Sequence, residues 1–328
     1  MIDVTVVLLE GGLPSTSMAP LEIFACAGSL WGMLMGTPAA PRFRVRTATI
    51  DGRKSQNFVP VTLEPTVALT DVRRTDLVVV PTAGMDLEAA RARNQGVIDW
   101  LARRSGQKTA VAGVCTGVSL LAAAGILDGR PATTHWGVVD RCRALYPGVR
   151  WSPERFVTES GNVFCGGGLY ASIDLSLYLV ERYCGHEVAV QTAKALLLER
   201  PRLWQSTYAP QLPLADHADE PIHEAQTWLS AHLREAVDLD ALAARHAMSP
   251  RNFARRFKAA TGEAPLAWLH RVRIEAARKH LESTHKSVQE VSLLVGYEDV
   301  AFFRQLFRRH TGTSPRDYRV RFGPRRAA

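Results

Sequence analysis

The sequence predicts two domains of different class. Residues 1–205 read as an α/β domain with a mostly parallel sheet covered on both faces, and residues 222–321 as an all-α domain with two helix–turn–helix units. A linker at 206–221 joins them and a short tail, 322–328, follows. Three observations carry this reading. Apolar β-branched runs alternate with helical patterns up to about residue 200 and then cease. A stretch near the C-terminus repeats: SPRNFARRFKAATGEAP at 249–265 and DVAFFRQLFRRHTGTSP at 299–315. The charge is split. Residues 223–328 hold 19 Lys+Arg against 11 Asp+Glu, while residues 1–222 hold 21 of each, so the whole net charge of +8 falls in the last third.

Taken in order, residues 2–9 are β-branched and apolar, as in a central strand. Residues 19–30 follow as a helix, 32–41 as a Gly/Pro-rich loop and 43–50 as an alternating strand. Residues 51–75 read as an irregular excursion with short strands around 58–63. A buried strand at 76–81 and one amphipathic helix at 86–104 come next, then a buried strand at 109–114 turning into a helix at 117–124. PATTHW at 131–136 reads as a short strand leading into a helix, and 155–165 as a hairpin turning at 160–162. Helices at 170–183 and 187–198 complete the domain. Pro210, Pro213 and Pro221 mark the linker. Beyond it strand patterns vanish. A helix at 224–233 precedes 239–245 and 249–261, with Ser249 as N-cap and Pro250 at the first helical position. A connecting helix at 265–281 presents Leu266, Leu269, Val272, Ala276 and Leu281 as its apolar residues. Residues 288–294 and 299–310 form the second pair, with Gly296 at the turn.

In the repeat, Phe253 matches Phe303, Phe257 matches Phe307, and Thr261, Gly262 and Pro265 match Thr311, Gly312 and Pro315. Each Phe pair is four apart and shares one helix face. The opposite face carries Arg251, Arg255 and Lys258 in the first copy and Arg304, Gln305 and Arg308 in the second. A core anchor behind and donors for guanine, adenine and phosphate in front suit a helix entering the major groove of double-stranded DNA. A solvated basic face explains one such helix; it explains two with the same upstream helix less well.

Five cysteines, Cys26, Cys115, Cys142, Cys165 and Cys184, are odd in number, widely spaced and without a CxxC. They fit neither a disulfide framework nor a metal site, and they suit a reducing cytoplasm. The N-terminus lacks a basic n-region, so no signal peptide is expected. Residues 110–127 are uncharged, but Gly113, Gly117 and Gly125 argue for a strand turning into a buried helix rather than a membrane span. Within that stretch GVCTG at 113–117 has the strand, Gly-x-Cys-x-Gly, helix arrangement of a nucleophile elbow. Such a turn places a thiol at a helix N-terminus, where the dipole lowers its pKa. A working nucleophile also needs a base in reach; His135 is the candidate base and Glu22 a candidate carboxylate neighbour. The alternatives are a small residue filling a tight turn at Cys115, a helix-capping His135 and a surface Glu22. GGG at 166–168 lacks a following Lys-Ser/Thr and is no P-loop.

The stretches LDALAARHAMSPRNFARRFKAATGEAP, RVRIEAARKHL and VQEVSLLVGYEDVAFFRQLFRRHTGTSPRDYR resemble the DNA-binding domain of the AraC/XylS regulators over about residues 222–321. The resemblance implies two units reading successive major-groove segments. It makes Arg251, Ala254, Arg255, Val300, Ala301, Arg304 and Gln305 base-facing; Arg256, Lys258, Arg308 and Arg309 are then candidates for phosphates. AGVCTGVSLLAAAGILDGRPATTHW and GGGLYASIDLSLYLVERYCG resemble the PfpI-type branch of the class I glutamine-amidotransferase-like fold, a flavodoxin-like sandwich. Together the chain is similar to GlxA-type transcriptional regulators. That resemblance implies a sequence-specific DNA-binding regulator, controlled by a small-molecule effector near Cys115 and working as a homodimer, with no cofactor and no metal. Thr116 stands where hydrolytic relatives commonly carry His after the cysteine, which weakens the alternative, a cysteine-dependent amidohydrolase or glyoxalase-like enzyme carrying a DNA-binding domain.

Overall fold

Strand Ile2–Val7 lies inside the main sheet, hydrogen-bonded in parallel to Phe43–Thr49 on one side and to Leu77–Val80 on the other. In the computed structural model, which describes residues 1–104, 108–199, 202, 204–209 and 217–324, the chain divides into two compact units after Gln205. Among the described residues the sheet has seven strands. Their order is Val157–Ser160, Val163–Gly166, Ala110–Val114, Leu77–Val80, Ile2–Val7, Phe43–Thr49 and Val67–Ala68. All pairs are parallel except the edge hairpin Val157–Ser160 with Val163–Gly166.

The period-2 alternation sorts each strand between two cores. Val4, Val6, Leu77, Val79, Ala110, Ala112 and Val114 face one core, against Ile23 and Phe24 of helix Ser15–Cys26 and Leu175 and Leu179 of helix Ala171–Cys184. Val7, Val78, Val80 and Val111 face the other, against Val97, Trp100 and Leu101 of helix Gln95–Arg104 and Val118 and Leu121 of helix Gly117–Ala123. The C-terminal ends of the central strands meet at one edge, where ligand sites of open α/β sheets form.

Several expectations need correction. The first helix starts at Ser15 rather than Ala19 and runs through Pro20, forgoing one main-chain bond. Leu30–Met35 is helical where a loop from Gly32 is expected; Gly36 closes it in a left-handed conformation. The helix expected over 86–104 is two, Leu87–Arg93 and Gln95–Arg104. The break falls at Asn94, whose side chain accepts from the Glu10 amide and donates to the Glu10 carbonyl. This tertiary contact is invisible in the local periodicity.

The second unit is all-helical. Helices Leu239–Arg245 and Pro250–Thr261 form the first pair, Val288–Leu294 and Val300–Thr311 the second, and Pro265–Ser283 connects them. Within the stretch read as linker, 206–209 are fastened to this unit: Thr207 Oγ1 donates to the Thr311 carbonyl at 2.5 Å, and Arg278 donates to the carbonyls of Ala209 and Thr207. Helix Glu220–Ala231 begins ahead of the expected 224, capped by Asp219 with Pro221 in its first turn. Residues 210–216 lie outside the described residues. Of the expected tail, Phe322 ends helix Pro315–Phe322 and packs on Tyr318.

Candidate functional site

Helices Pro250–Thr261 and Val300–Thr311 are built by the same devices. Ser249 accepts from the Asn252 amide, and Asp299 accepts from the amides of Ala301 and Phe302. Gly262 and Gly312 end the helices at φ 82° and 79°. In each last turn a threonine hydroxyl, Thr261 or Thr311, donates to the carbonyl of the second Phe at 2.7 Å. Phe253 and Phe257 pack with Trp268, Leu269 and Leu242 in one core. Phe303 and Phe307 pack with Ile274, Leu281 and Tyr318 in another. Burying one face turns the other outward. Arg251, Ala254, Arg255 and Lys258 are exposed on the first helix, and Ala301, Arg304, Gln305 and Arg308 on the second. Val300 is half-buried. Arg255 donates to Asn252 Oδ1 at 2.8 Å, an exposed contact that leaves its other donors to solvent. Arg256 differs from the notion of a free phosphate contact: its guanidinium makes a bidentate pair with Asp219 at 2.8 and 2.9 Å.

The connecting helix departs from its expected face. Leu266 is exposed, Val272 and Ala276 are half-buried, and the buried side includes Trp268, Leu269, Ile274, Ala277 and Leu281 together with Arg273 and Arg278. Arg273 donates to the Gly296 carbonyl at 3.1 Å and the Glu235 carbonyl at 2.7 Å, joining the turn of the second pair to the segment before the first. Neither arginine stands out in the sequence. The one available signal is that each is four residues from an apolar buried position, Leu269 and Ile274.

At the edge of the α/β unit, Cys115 follows strand Ala110–Val114 and precedes helix Gly117–Ala123. It is fully buried and has φ 53°, a conformation that a residue with a Cβ adopts only under strain. The turn is fixed from all sides. The Cys115 amide donates to the Gly166 carbonyl at 2.7 Å, and Thr134 Oγ1 donates to the Cys115 carbonyl at 2.8 Å. Thr116 Oγ1 accepts from the Ala83 amide, and Thr16 Oγ1 from the Thr82 amide. Gly117 has no substitute, because a Cβ there would lie 2.0 Å from the Pro81 carbonyl. Burial pushes the thiol up to about 11, against smaller lowering contacts from Thr116 and Thr82. Desolvation by burial, rather than the lowering expected at a helix N-terminus, sets the direction of the shift.

His135 and Glu22 each make other contacts. His135 Nδ1 accepts from the Gly137 amide at 3.0 Å and caps its own short helix. Burial lowers its pKa. Among the described residues His135 and Cys115 share no hydrogen bond. Glu22 is exposed; one turn along, burial raises the Cys26 thiol's pKa and the Glu22 charge adds to it. The residues that do surround the elbow are the buried hydroxyls Thr16, Thr82, Thr116, Thr133 and Thr134, and the Gln205 amide, which sequence reading passed over. Thr82, Thr116, Thr133 and Thr134 share one signal, a place within two residues of a strand end; Thr16 and Gln205 carry none. All five cysteines are free, and no group of metal-binding side chains is found among the described residues. No described helix is long and apolar enough to cross a membrane.

A helix-turn-helix domain model matches residues 242–321, and a DJ-1/PfpI family model matches residues 31–182. An HTH-type transcriptional regulator of Mycobacterium tuberculosis is 31% identical over 267 residues, covering 75% of this chain and 95% of the relative. The HTH-type transcriptional regulator GlxA of Rhizobium meliloti is 27% identical over 65% of this chain and 66% of its own. The isonitrile hydratase of Pseudomonas putida is 34% identical over 166 residues, 48% of this chain and 65% of that one. Among solved structures, Drosophila melanogaster DJ-1beta matches with a TM-score of 0.51 at 20% identity, over 60% of this chain and 98% of that one. At that identity the likeness establishes the fold. Together with the duplicated helices and the elbow, these matches place the chain in the family of HTH-type transcriptional regulators, DNA-binding proteins that join a DJ-1/PfpI domain to an AraC-type helix-turn-helix domain.

Proposed function

We propose that residues 1–205 sense a small metabolite at the Cys115 edge and pair two copies of the chain, and that residues 222–321 read DNA through Arg251, Arg255, Arg304 and Gln305. Lys258 and Arg308 flank these as phosphate contacts, and Val300 and Ala301 offer methyl contacts to thymine. A cytoplasmic location suits a chain with a helix-turn-helix DNA-binding domain. The elbow acts as a binding site and not as a catalyst. The observation that carries this is the setting of Cys115: buried, surrounded by hydroxyls and, among the described residues, without a hydrogen-bonded base. In a Cys115→Ala variant, protection of the gene's own upstream DNA persists, and so does its response to metabolites found by thermal shift. Loss of that response together with a thiol-dependent turnover overturns the non-catalytic reading.

A second reading has one observation in its favour. Cys115 holds a strained φ in the half of the chain that is similar to the isonitrile hydratase. Hydration of a simple isonitrile by the wild-type protein, abolished in Cys115→Ala, establishes it; no turnover removes it.

A further inference from the structure

Gln205 closes the α/β unit, and its side chain is 2% exposed. It lies over Gly167, where an added Cβ would fall 1.7 Å from the amide nitrogen. That nitrogen meets three acceptors: Thr133 Oγ1 at 3.0 Å, the Thr134 carbonyl at 3.0 Å and the Arg155 carbonyl at 2.8 Å. Two of them are main-chain carbonyls, which fix nitrogen rather than oxygen at this spot. The Thr133 hydroxyl spends its proton on the Arg155 carbonyl at 2.7 Å, so toward Gln205 it accepts. A carboxamide has two protons for these three acceptors; a primary ammonium group has three. The subsite belongs to the elbow's edge, since the Thr134 hydroxyl holds the Cys115 carbonyl. A Cβ on Gly168 would touch both Gln205 and His135 at 3.9 Å.

The chain around Gln205 is pinned. Its amide donates to the Glu154 carbonyl at 2.7 Å, and Trp204 bridges to Arg155, whose guanidinium sits 4.7 Å over the indole ring. Arg202 pairs with the buried carboxylate of Asp174 at 2.7 Å. Two residues after Gln205, Thr207 is already anchored in the helical unit, on the Thr311 carbonyl at the end of helix Val300–Thr311.

We propose that Gln205 is a latch seated in an amine subsite formed by Thr133, Thr134 and Arg155, and that a ligand bearing a primary amino group displaces it and alters DNA binding. Displacement frees the chain two residues before its anchor on the second DNA-reading helix. The idea rests on the effector reading above.

The full chain labelled with 5-fluorotryptophan tests it, with the Trp204 resonance assigned by Trp204→Phe. In wild type, n-propylamine moves that resonance, whereas tetramethylammonium, of equal charge but without N–H, does not. Gln205→Ala and Gly167→Ala both show the moved resonance without any amine. Gly167 has no positive φ, so alanine there displaces the amide without backbone strain. Both variants change affinity for the gene's upstream DNA roughly fivefold or more, in one direction. A Trp204 resonance unmoved in both variants overturns the latch, as does equal action of the two cations or unchanged DNA affinity. If a metabolite response persists in full in Gln205→Ala, the latch fails and effector control stands. If the variants respond as expected but no metabolite changes wild-type protection, the latch stands and the effector reading fails.

Discussion

The first helix–turn–helix pair turns on Ala247 at φ 53°, the second on Gly296 at φ 84°. Both turns then feed a capped helix with Phe at matching positions, a threonine hydroxyl in its last turn and a left-handed glycine at its end. Outward the two differ. The first helix shows Arg251, Arg255 and Lys258; the second shows Arg304, Gln305 and Arg308 beside the small Ala301 and a partly exposed Phe302. Duplication has kept what the backbone needs and left free what faces a partner. Inward residues are constrained by packing density, while outward ones answer only to what they bind. The different turn residues have a local cause. A Cβ on Gly296 would sit 2.2 Å from the Leu233 carbonyl and 2.8 Å from Arg273, whereas Ala247 is exposed.

The largest effect expected is in the cores. Phe257→Ala and Phe307→Ala each cost about 3–5 kcal/mol. Because their clusters are separate, hydrogen exchange in Phe257→Ala opens helix Pro250–Thr261 while Val300–Thr311 stays protected, and Phe307→Ala does the reverse. Equal loss of protection in both helices breaks the comparison. It would mean that the Arg273 bonds across the connecting helix fuse the two halves into one cooperative unit.

Next comes the turn itself. Gly296→Ala combines a left-handed penalty of about 1–2 kcal/mol with an overlap costing about 1–3 kcal/mol more. Urea melts followed by Trp fluorescence read the sum. A cost below about 1 kcal/mol would show that the Leu233 segment yields, and that the two turns are less different than they look.

The outward faces separate on DNA. Arg255→Ala relaxes sequence preference at a cost of about 1–3 kcal/mol, measured by competition between cognate and shuffled duplexes. Arg304→Ala does the same at a different base position. A uniform loss on all duplexes makes either one a phosphate contact instead.

Much of this was legible from residues alone. The β-branched apolar runs at 2–9 and 76–81 marked buried strands, because a two-sided parallel sheet leaves no polar face. The Phe pairs and TG endings marked the repeat. What stayed hidden depends on partners distant in sequence. Asn94 breaks a helix because Glu10 is near it. Arg273 and Arg278 are buried because carbonyls of Gly296, Glu235, Thr207 and Ala209 await them. His135 has the right residue type and neighbourhood for a base, yet its ring nitrogen is used by its own helix start. Local patterns report period and capping; they do not report where an unpaired carbonyl lies in space.

The smallest effect bears on Ala247. Its methyl group is solvent-exposed, so Ala247→Gly removes no packing. Relief of the left-handed conformation gains about 1–2 kcal/mol, and the added freedom of the unfolded chain takes back about 0.5–1 kcal/mol. The expected net is a stabilisation of about 0–1.5 kcal/mol, seen as an unchanged or slightly higher urea midpoint with DNA preference intact. Cys115 holds the same φ of 53°, but with bonds to Gly166 and Thr134 fixing it and burial leaving no freedom to relax. A destabilised Ala247→Gly would therefore place Ala247 with Cys115, as a strained residue held by surroundings that need its side chain, and would remove the freedom that distinguishes the first turn from the second.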